Sequence, residues 1–242
     1  MDEIAAGLER TLADLGTPER AASEKRYLKS DMAFLGATVW QTERVVKDHL
    51  AGRRLSHDDA VDLAVELWSV AIFERRMAAV MVLERSAAVL AVDDLPLVER
   101  LVRESGTWAL VDGLAGDVVA RIVEADPDGA ARVLDRWAGD PDFWVRRASL
   151  LAELRALRKG APLDRFVARA DPMLEEREFF IRKAIGWVLR EAGKRRPDDV
   201  AAWLAPRTHR ASGVTIREAV KYLPPEVGES LMTAYREKRP AS

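Results

Sequence analysis

The sequence predicts an all-α protein, and three observations support this fold class. Ala, Leu, Glu, Arg and Val are abundant throughout the 242 residues, and the period-two alternation typical of half-buried strands is scarce. The breaks between apolar segments carry residues that favour the first turn of a helix. These breaks are Thr17-Pro18, Ser56-His57-Asp58-Asp59, Asp126-Pro127, Asp140-Pro141, Asp171-Pro172 and Arg196-Pro197. We therefore expect about a dozen helices of roughly 10 to 18 residues, joined by short loops.

The predicted helices favour an array of repeats over a simple bundle. With 48% hydrophobic residues, the chain can bury one large core or the shared core of many small repeats. Residues 74–90 and 109–123 are apolar on more than one side, as in helices packed between neighbours. Successive helix pairs that recur about every 35 to 45 residues have the spacing of HEAT-like repeats, which stack into a curved solenoid with a concave face. We predict one such domain over residues 1–242, with a frayed tail at residues 239–242.

The net charge of -2 conceals an asymmetry along the chain. Residues 1–140 contain 17 Lys and Arg against 26 Asp and Glu, whereas residues 141–242 contain 21 against 14. Because electrostatic fields are screened over about 10 Å at ordinary salt, a basic face on a globally acidic protein can still bind nucleic acid. Most charge runs are solvated helix faces, however, so the asymmetry alone does not identify a partner.

Several classes of site and location are disfavoured by what the sequence lacks. Without cysteine, the chain has neither disulfides nor thiolate metal ligands, which favours a reducing compartment. The first residues do not resemble a secretory signal, and no stretch approaches the ~20 apolar residues of a membrane span, so we expect a soluble, cytoplasmic protein. His49, His57 and His209 lack metal-ligand spacing, and no Gly-rich phosphate loop or nucleophile turn occurs. We expect neither a metal nor a cofactor.

Residues 180–190 place a tryptophan on the cationic side of a predicted helix. At about 100° per residue, the apolar side chains form one stripe and the cations lie on the opposite flank. The stripe contains Ile181, Ala184, Ile185 and Val188, and the flank contains Lys183, Trp187, Arg190 and Lys194. Burial normally draws a large apolar ring into the stripe, so this arrangement indicates an anionic partner. Alternatively, a neighbouring helix covers the flank, Trp187 is ordinary core, and the cations extend outward.

Trp108 and Asp112 form a second candidate site. If a helix begins at Thr107, the two side chains are i and i+4 neighbours, away from the apolar stripe. That stripe contains Val111, Leu114 and Val118. An indole and a carboxylate would then share one face, although a Trp beside an acid near a helix start is more often structural.

Arg147 projects into a predicted apolar arc. The arc contains Trp144, Ala148, Leu150, Leu151 and Leu154. A buried guanidinium needs a carboxylate, carbonyl groups or a bound phosphate, since leaving it unpaired costs several kcal/mol. Arg147 is therefore either an internal support or a ligand-binding side chain, and the residues alone favour the internal support.

The run FFIRKAIGWVLRE at residues 179–191 closely resembles the signature of the AlkD-like DNA alkylation repair enzymes, which are DNA glycosylases built from HEAT-like helical repeats. Shorter matches support it along nearly the whole chain. They are EKRYLK at residues 24–29, FLG at 34–36, ELW at 66–68 and FERR at 73–76. The resemblance implies that the concave face of the solenoid is basic and binds double-stranded DNA.

The resemblance also implies an activity and a set of site residues. The expected reaction removes cationic alkylated bases, of the N3-methyladenine and N7-methylguanine type, by hydrolysis of the N-glycosidic bond. Position by position, the family's catalytic aspartate falls on Asp112, and its paired tryptophans fall on Trp108 and Trp187. The expected DNA-binding residues are Arg147, Arg190, Lys183, Lys194 and Tyr27.

One departure from the family pattern concerns the residues before Asp112. Close relatives often have Trp-Trp-Asp-x-Val-Asp where this chain has TWALVD at residues 107–112, so the first Trp and the first Asp are missing. The second Trp and second Asp remain, so the departure affects the expected breadth of substrates more than the activity.

Two other classes of function remain open. The first is a non-catalytic HEAT-like module that binds damaged or branched DNA, and retention of the Trp, Asp and Arg set argues against it. The second is a protein-interaction scaffold, which would need an exposed apolar groove rather than a cationic one. A monomer is the simplest expectation for a protein that encloses duplex DNA.

Overall fold

The computed structural model describes residues 1–237, and the tail at residues 239–242 lies outside this range. The described chain is helical, and its only β-type pairing is one bridge between Ala33 and Ile72. The α-helices are α1 (Asp2–Leu15), α2 (Pro18–Leu28), α3 (Val39–His49), α4 (His57–Trp68), α5 (Phe73–Arg85), α6 (Leu95–Glu104), α7 (Trp108–Gly113), α8 (Ala120–Ala125), α9 (Pro127–Ala138), α10 (Phe143–Leu151), α11 (Leu154–Arg158), α12 (Asp164–Ala170), α13 (Phe179–Gly193), α14 (Pro197–Leu204), α15 (Gly213–Ala219) and α16 (Pro225–Glu237). The predicted all-α class is confirmed.

Helix starts follow the capping chemistry of the sequence in most cases. Thr17, Ser56 and Asp126 each accept a backbone N–H of the first turn that follows, as N-cap residues do. Asp171-Pro172 is an exception, because it begins only the 3₁₀ turn Asp171–Met173. Several helices are also shorter than expected, and α7 and α11 have 6 and 5 residues.

The chain divides into two compact units, Met1–Ile122 and Val123–Ser242. The single domain over residues 1–242 stays a prediction. In the first unit, α4 packs against α5, and α1 packs against α3. Leucines dominate its fully buried side chains: Leu8, Leu12, Leu63, Leu67, Leu83, Leu95 and Leu101.

The second unit is organised around α13, its longest helix in the described residues. This helix contacts α10, α11, α14 and, most extensively, α15. Its apolar stripe is fully buried, at Ile181, Ala184, Ile185 and Val188. The helix therefore uses one face for the core and leaves the opposite flank for other contacts.

Candidate active site

Trp108 and Asp112 lie on the same side of the short helix α7. The helix begins at Trp108, after the extended backbone of Thr107 and the left-handed backbone of Gly106. Leu110 and Val111 are fully buried, whereas Trp108 and Asp112 are both partly exposed. The predicted indole–carboxylate face is therefore present, with one helical turn between its two members.

The helix changes its winding directly after Asp112 and Gly113. Residues Leu114–Val119 form a π-helical segment, which continues into α8. Such wide turns are rare and are frequent at functional sites. Gly113 faces Val80 of α5, and a Cβ at this position would lie 2.9 Å from Val80 Cγ1. Close packing against α5 therefore holds the Asp112 end of the helix.

Tyr27 lies beside Trp108. Its ring is 68% exposed at the end of α2, and it meets the Trp108 ring edge-on, with centroids 6.0 Å apart and an interplanar angle of 85°. An edge-to-face pair of this kind contributes about 0.5 to 1.5 kcal/mol beyond burial. Two of the residues expected from the family resemblance are thus in contact within the first unit.

The start of α5 holds the segment that follows Tyr27 and α2. The Glu74 carboxylate is buried and accepts the backbone N–H groups of Leu35 and Gly36, at 2.9 and 2.7 Å. The rings of Phe34 and Phe73 stack 5.0 Å apart. The FLG and FERR motifs therefore meet, and their shared role is to fix this loop on α5.

The same helix also holds the segment that precedes Trp108. Arg76 lies over the Trp68 ring at 4.9 Å and donates to the backbone carbonyl of Glu104. The Trp68 indole N–H donates to the Glu104 carboxylate at 2.9 Å. Burial lowers the pKa of the Arg76 guanidinium, and the charge of Glu104 partly opposes this effect. Arg76 and Trp68 thus support the loop from which α7 starts.

In the second unit, Trp187 lies on the flank of α13 that the sequence predicted. It is partly exposed, as are Lys183 and Arg190, while the opposite stripe is fully buried. Helix α15 packs alongside α13 but does not bury Trp187 completely. A neighbouring helix therefore does cover part of this flank, as the alternative in the sequence had it, but Trp187 itself is not fully buried core.

The cations around Trp187 are held by buried carboxylates. Lys183 and Arg190 both donate to Glu218 of α15, each at 2.5 Å. Lys194 donates to both oxygens of Glu191, at 2.8 and 3.0 Å, and its Nζ lies 4.6 Å from the centre of the Tyr222 ring. The cations of this flank are thus fixed in place rather than free in solvent.

The cations around Glu218 stabilise its charged form. Burial alone would raise its pKa, but hydrogen bonds from Lys183 and Lys221 and the charges of Lys183 and Arg190 outweigh it and lower the pKa to about 2. Glu191 behaves similarly, because Lys194 and Arg158 overcome the effect of burial and lower its pKa. Both carboxylates therefore remain anionic near neutral pH.

A comparison of the chain with protein families decides its classification. The model for the DNA alkylation repair enzymes matches residues 8–223. The chain belongs to the DNA alkylation repair enzyme family. The resemblance found in the sequence is thereby confirmed.

Solved structures show the same fold. A predicted DNA alkylation repair enzyme from Enterococcus faecalis is 22% identical, with a TM-score of 0.78 over 87% of this chain and 97% of its own. AlkD2 from Streptococcus mutans is 17% identical, with a TM-score of 0.61 over 84% of this chain and 99% of its own. The smu.31 protein of Streptococcus mutans UA159 is 16% identical, with a TM-score of 0.59 and coverage of 85% and 98%. No protein with curated annotation matches the chain.

In this DNA alkylation repair protein, Arg147 has the contacts of an internal support. It is only 3% exposed, donates to the Phe180 carbonyl at 2.6 Å, and lies 5.9 Å from the centre of the Phe180 ring. The sequence correctly placed it inside the apolar arc. Its contact with a DNA phosphate stays a prediction.

The family member contains functional candidates that the sequence did not reveal. Glu218 and Glu191 hold the predicted cations, and Lys221 shares Glu218 at 2.9 Å. The local signals were the spacings of three residues between Glu218 and Lys221 and between Glu191 and Lys194, which are common on helix surfaces. The pairing of Glu218 with Lys183 and Arg190 of α13, in contrast, joins residues about 30 positions apart in the sequence.

Among residues 1–237, no group of three His, Asp or Glu side chains is placed to hold a metal ion. Within the same range, no helix combines the length and the apolar character needed to cross a membrane.

Proposed function

We propose that this family member is a DNA glycosylase that removes cationic alkylated purines from duplex DNA. The observation that carries the proposal is the Trp108–Asp112 face of α7, where a partly exposed indole and carboxylate stand one turn apart beside Tyr27. The second observation is Trp187 among the cations of α13. We assign the catalytic step to Asp112, Trp108 and Trp187.

The chemistry suits a carboxylate without a strong general acid. In a nucleoside of N3-methyladenine or N7-methylguanine, the base already carries a positive charge. When the C1′–N bond breaks, its electron pair goes to the base nitrogen, and the base leaves as a neutral molecule. The sugar then carries oxocarbenium character, and water adds its oxygen to C1′ and loses a proton.

Asp112 and the two indoles would act on the charge that develops on the sugar. A carboxylate opposes the positive charge and orients the attacking water, and electrostatic groups of this kind often provide the largest share of catalysis. The faces of Trp108 and Trp187 each favour a nearby cation by about 0.5 to 2 kcal/mol. Preference for positively charged lesions follows from the same interactions.

The cations of the second unit would bind the DNA backbone. Arg190, Lys183 and Lys194 carry positive charge beside Trp187, and we include Arg147 as a further contact. Contacts with phosphate position a duplex without reading its sequence. We therefore propose that the protein recognises damage in any sequence context. We also propose that it acts as a monomer in the cytoplasm.

The test is incubation with a duplex that contains N7-methylguanine, followed by chromatographic identification of the freed base. A sample without protein measures spontaneous loss of the base, and an unmethylated duplex measures unspecific release. We expect 7-methylguanine to be released well above the spontaneous rate. Binding of duplex without release would instead indicate the non-catalytic DNA-binding module.

A further inference from the structure

Glu218 is the buried centre of a fork of three cations beside Trp187. It is 7% exposed, and it accepts hydrogen bonds from Lys183 at 2.5 Å, Arg190 at 2.5 Å and Lys221 at 2.9 Å. Three cations against one carboxylate leave a net positive charge. The cations are partly exposed while the carboxylate is not, so the positive charge faces solvent.

The packing of α13 on α15 places Glu218 between Lys183 and Arg190. These two cations are seven residues apart on α13, about 10 Å along the helix axis, so a single carboxylate can reach both only from a point midway. Gly186 lies near this midpoint. A Cβ at Gly186 would be 2.7 Å from Glu218 Cβ and 2.9 Å from the Thr215 carbonyl oxygen, so glycine allows the close approach of the two helices.

A second carboxylate extends the same arrangement along α13. Glu191 is buried and binds Lys194 and Arg158, and its Oε1 lies 3.6 Å from Arg190 Nε. The whole patch has five cations, which are Lys183, Arg190, Lys221, Lys194 and Arg158, against two buried carboxylates. The cations lie at the surface and are held by carboxylates buried beneath them. Such a surface is suited to binding a polyanion with regularly spaced charges.

We propose that Glu218 is a positioning residue for bound DNA, and that Lys221 is a phosphate-binding residue of the same surface. Glu218 holds Lys183, Arg190 and Lys221 in one fixed geometry beside Trp187, so the backbone binds in one register. Flexible cations would bind phosphate as well, but they would lose more conformational freedom and would accept several registers. This inference rests on the proposed function for its substrate, since the phosphates are those of damaged duplex DNA.

The Glu218→Gln variant separates positioning from simple support of the fold. The substitution keeps the size of the side chain and releases the cations, so the patch gains one positive charge. We expect undamaged duplex to bind equally or more tightly, with a steeper dependence of affinity on salt. Release of 7-methylguanine at saturating protein should be at least about 10-fold slower, because the register is lost.

A footprint on a duplex with one lesion gives a readout that does not depend on catalysis. The wild-type protein should protect a discrete set of sugars around the lesion, and E218Q should give a broad, weak pattern. The matched control is Glu124→Gln, which removes another carboxylate of the same unit whose partners are Lys159 and Arg155. This control should keep the wild-type footprint and rate.

The outcomes distinguish this inference from the proposed function. A wild-type footprint and rate in E218Q would overturn the inference even if the protein is a glycosylase. A discrete wild-type footprint that broadens in E218Q would support it even if no base is released. If thermal denaturation shows that E218Q does not fold, Lys221→Gln decides, since we expect its salt slope to fall by about one and an unchanged slope would overturn the inference.

Discussion

Trp108 and Trp187 are both partly exposed, but their surroundings differ in charge and in construction. Trp108 begins a six-residue helix, and its ring packs edge-to-face with that of Tyr27. Trp187 lies in the middle of a fifteen-residue helix, among cations that buried carboxylates hold. The position of Trp108 and Tyr27 depends on the two loops that α5 holds, whereas the arrangement of the cations around Trp187 depends on the close packing of α13 on α15.

Under the proposed function, the comparison predicts that the two regions have different roles. Around Trp108 the chemically useful group is the carboxylate of Asp112, which attracts positive charge and would repel phosphate. Around Trp187 the outward charge is positive and would attract phosphate. Loss of the Asp112 charge should therefore change the rate of base release, whereas loss of a cation near Trp187 should change the affinity for DNA and its dependence on salt.

Asp112→Asn should have the largest effect. The amide keeps the shape of the side chain but loses its charge, so release of 7-methylguanine should fall about 100- to 1000-fold. Affinity for duplex should stay similar or rise slightly, because the residue is not expected to bind phosphate and the amide no longer repels it. Single-turnover release and a binding titration measure the two quantities.

Asp117→Asn is the matched control, since it removes an exposed carboxylate of the following π-helical segment. It should behave like the wild-type protein. Normal base release by the Asp112 variant would show that the Asp112 carboxylate has no part in the mechanism. It would also contradict the proposed difference in role between the two regions.

Gly186→Ala should destabilise the second unit. The new methyl group would lie 2.7 Å from Glu218 Cβ and 2.9 Å from the Thr215 carbonyl oxygen, so α13 and α15 must move apart. Crowding of this kind costs about 1 to 3 kcal/mol in the free energy of unfolding, which urea denaturation measures. In contrast, Gly116→Ala has open space around the methyl group and should be neutral or slightly stabilising.

Arg147→Ala should weaken duplex binding about 5- to 10-fold and lower the salt slope by about one, if the side chain reaches a phosphate. It should also lower the free energy of unfolding, because the Phe180 carbonyl loses its donor. A fluorescence titration at several salt concentrations measures the slope. The control Arg132→Ala removes an exposed arginine of α9 and should change the slope less. A loss of stability with an unchanged slope would establish Arg147 as an internal support alone.

Tyr27→Leu should slow base release about 2- to 10-fold, since it removes an edge-to-face contact of about 0.5 to 1.5 kcal/mol from Trp108. The effect should appear in the single-turnover rate and only weakly in the salt slope. Trp40→Leu removes an aromatic ring that is 81% exposed and serves as the control. A change in affinity alone would assign Tyr27 to DNA binding, as the family resemblance implies.

The smallest expected effect is on the dependence of the free energy of unfolding on pH. Its sign is opposite for Glu218 in the second unit and His57 in the first unit. The lowered pKa of Glu218, about 2, means that its ion pairs stabilise the fold above pH 4.5 and are lost as the pH falls toward 2. Hydrogen bonds to Asp58 and then Asp94 raise the pKa of His57 above 6.5, so its contribution is present below that pH and is lost as the pH rises through the raised value.

Urea denaturation of Glu218→Gln and His57→Gln across the pH range measures both effects. The difference between the Glu218 variant and the wild-type protein should disappear in acid. The difference for the His57 variant should disappear in base, and the opposite dependence in either variant would contradict the assignment.

Much of each helix was predictable because its determinants are local. The caps at Thr17, Ser56 and Asp126 and the buried stripe of α13 follow from residue type and from 3.6-residue periodicity. The π-helical segment after Gly113 was not predictable, since its residues also fit an ordinary helix. The role of Asp171-Pro172 was overestimated because a capping pair alone does not supply the packing that extends a turn into a helix.

By itself, the sequence determined which side chains share a helical face: Trp108 with Asp112, and Trp187 with its cations. The sequence also indicated the family, through the run at residues 179–191 of α13. Only the tertiary structure decided what those faces meet. The contact of Tyr27 with Trp108, the contact of Arg147 with Phe180 and the pairing of Lys183 and Arg190 with Glu218 join residues about 30 to 80 positions apart. Local periodicity sets the direction of a side chain along its own helix, whereas its partner depends on how neighbouring helices pack, which no local pattern specifies.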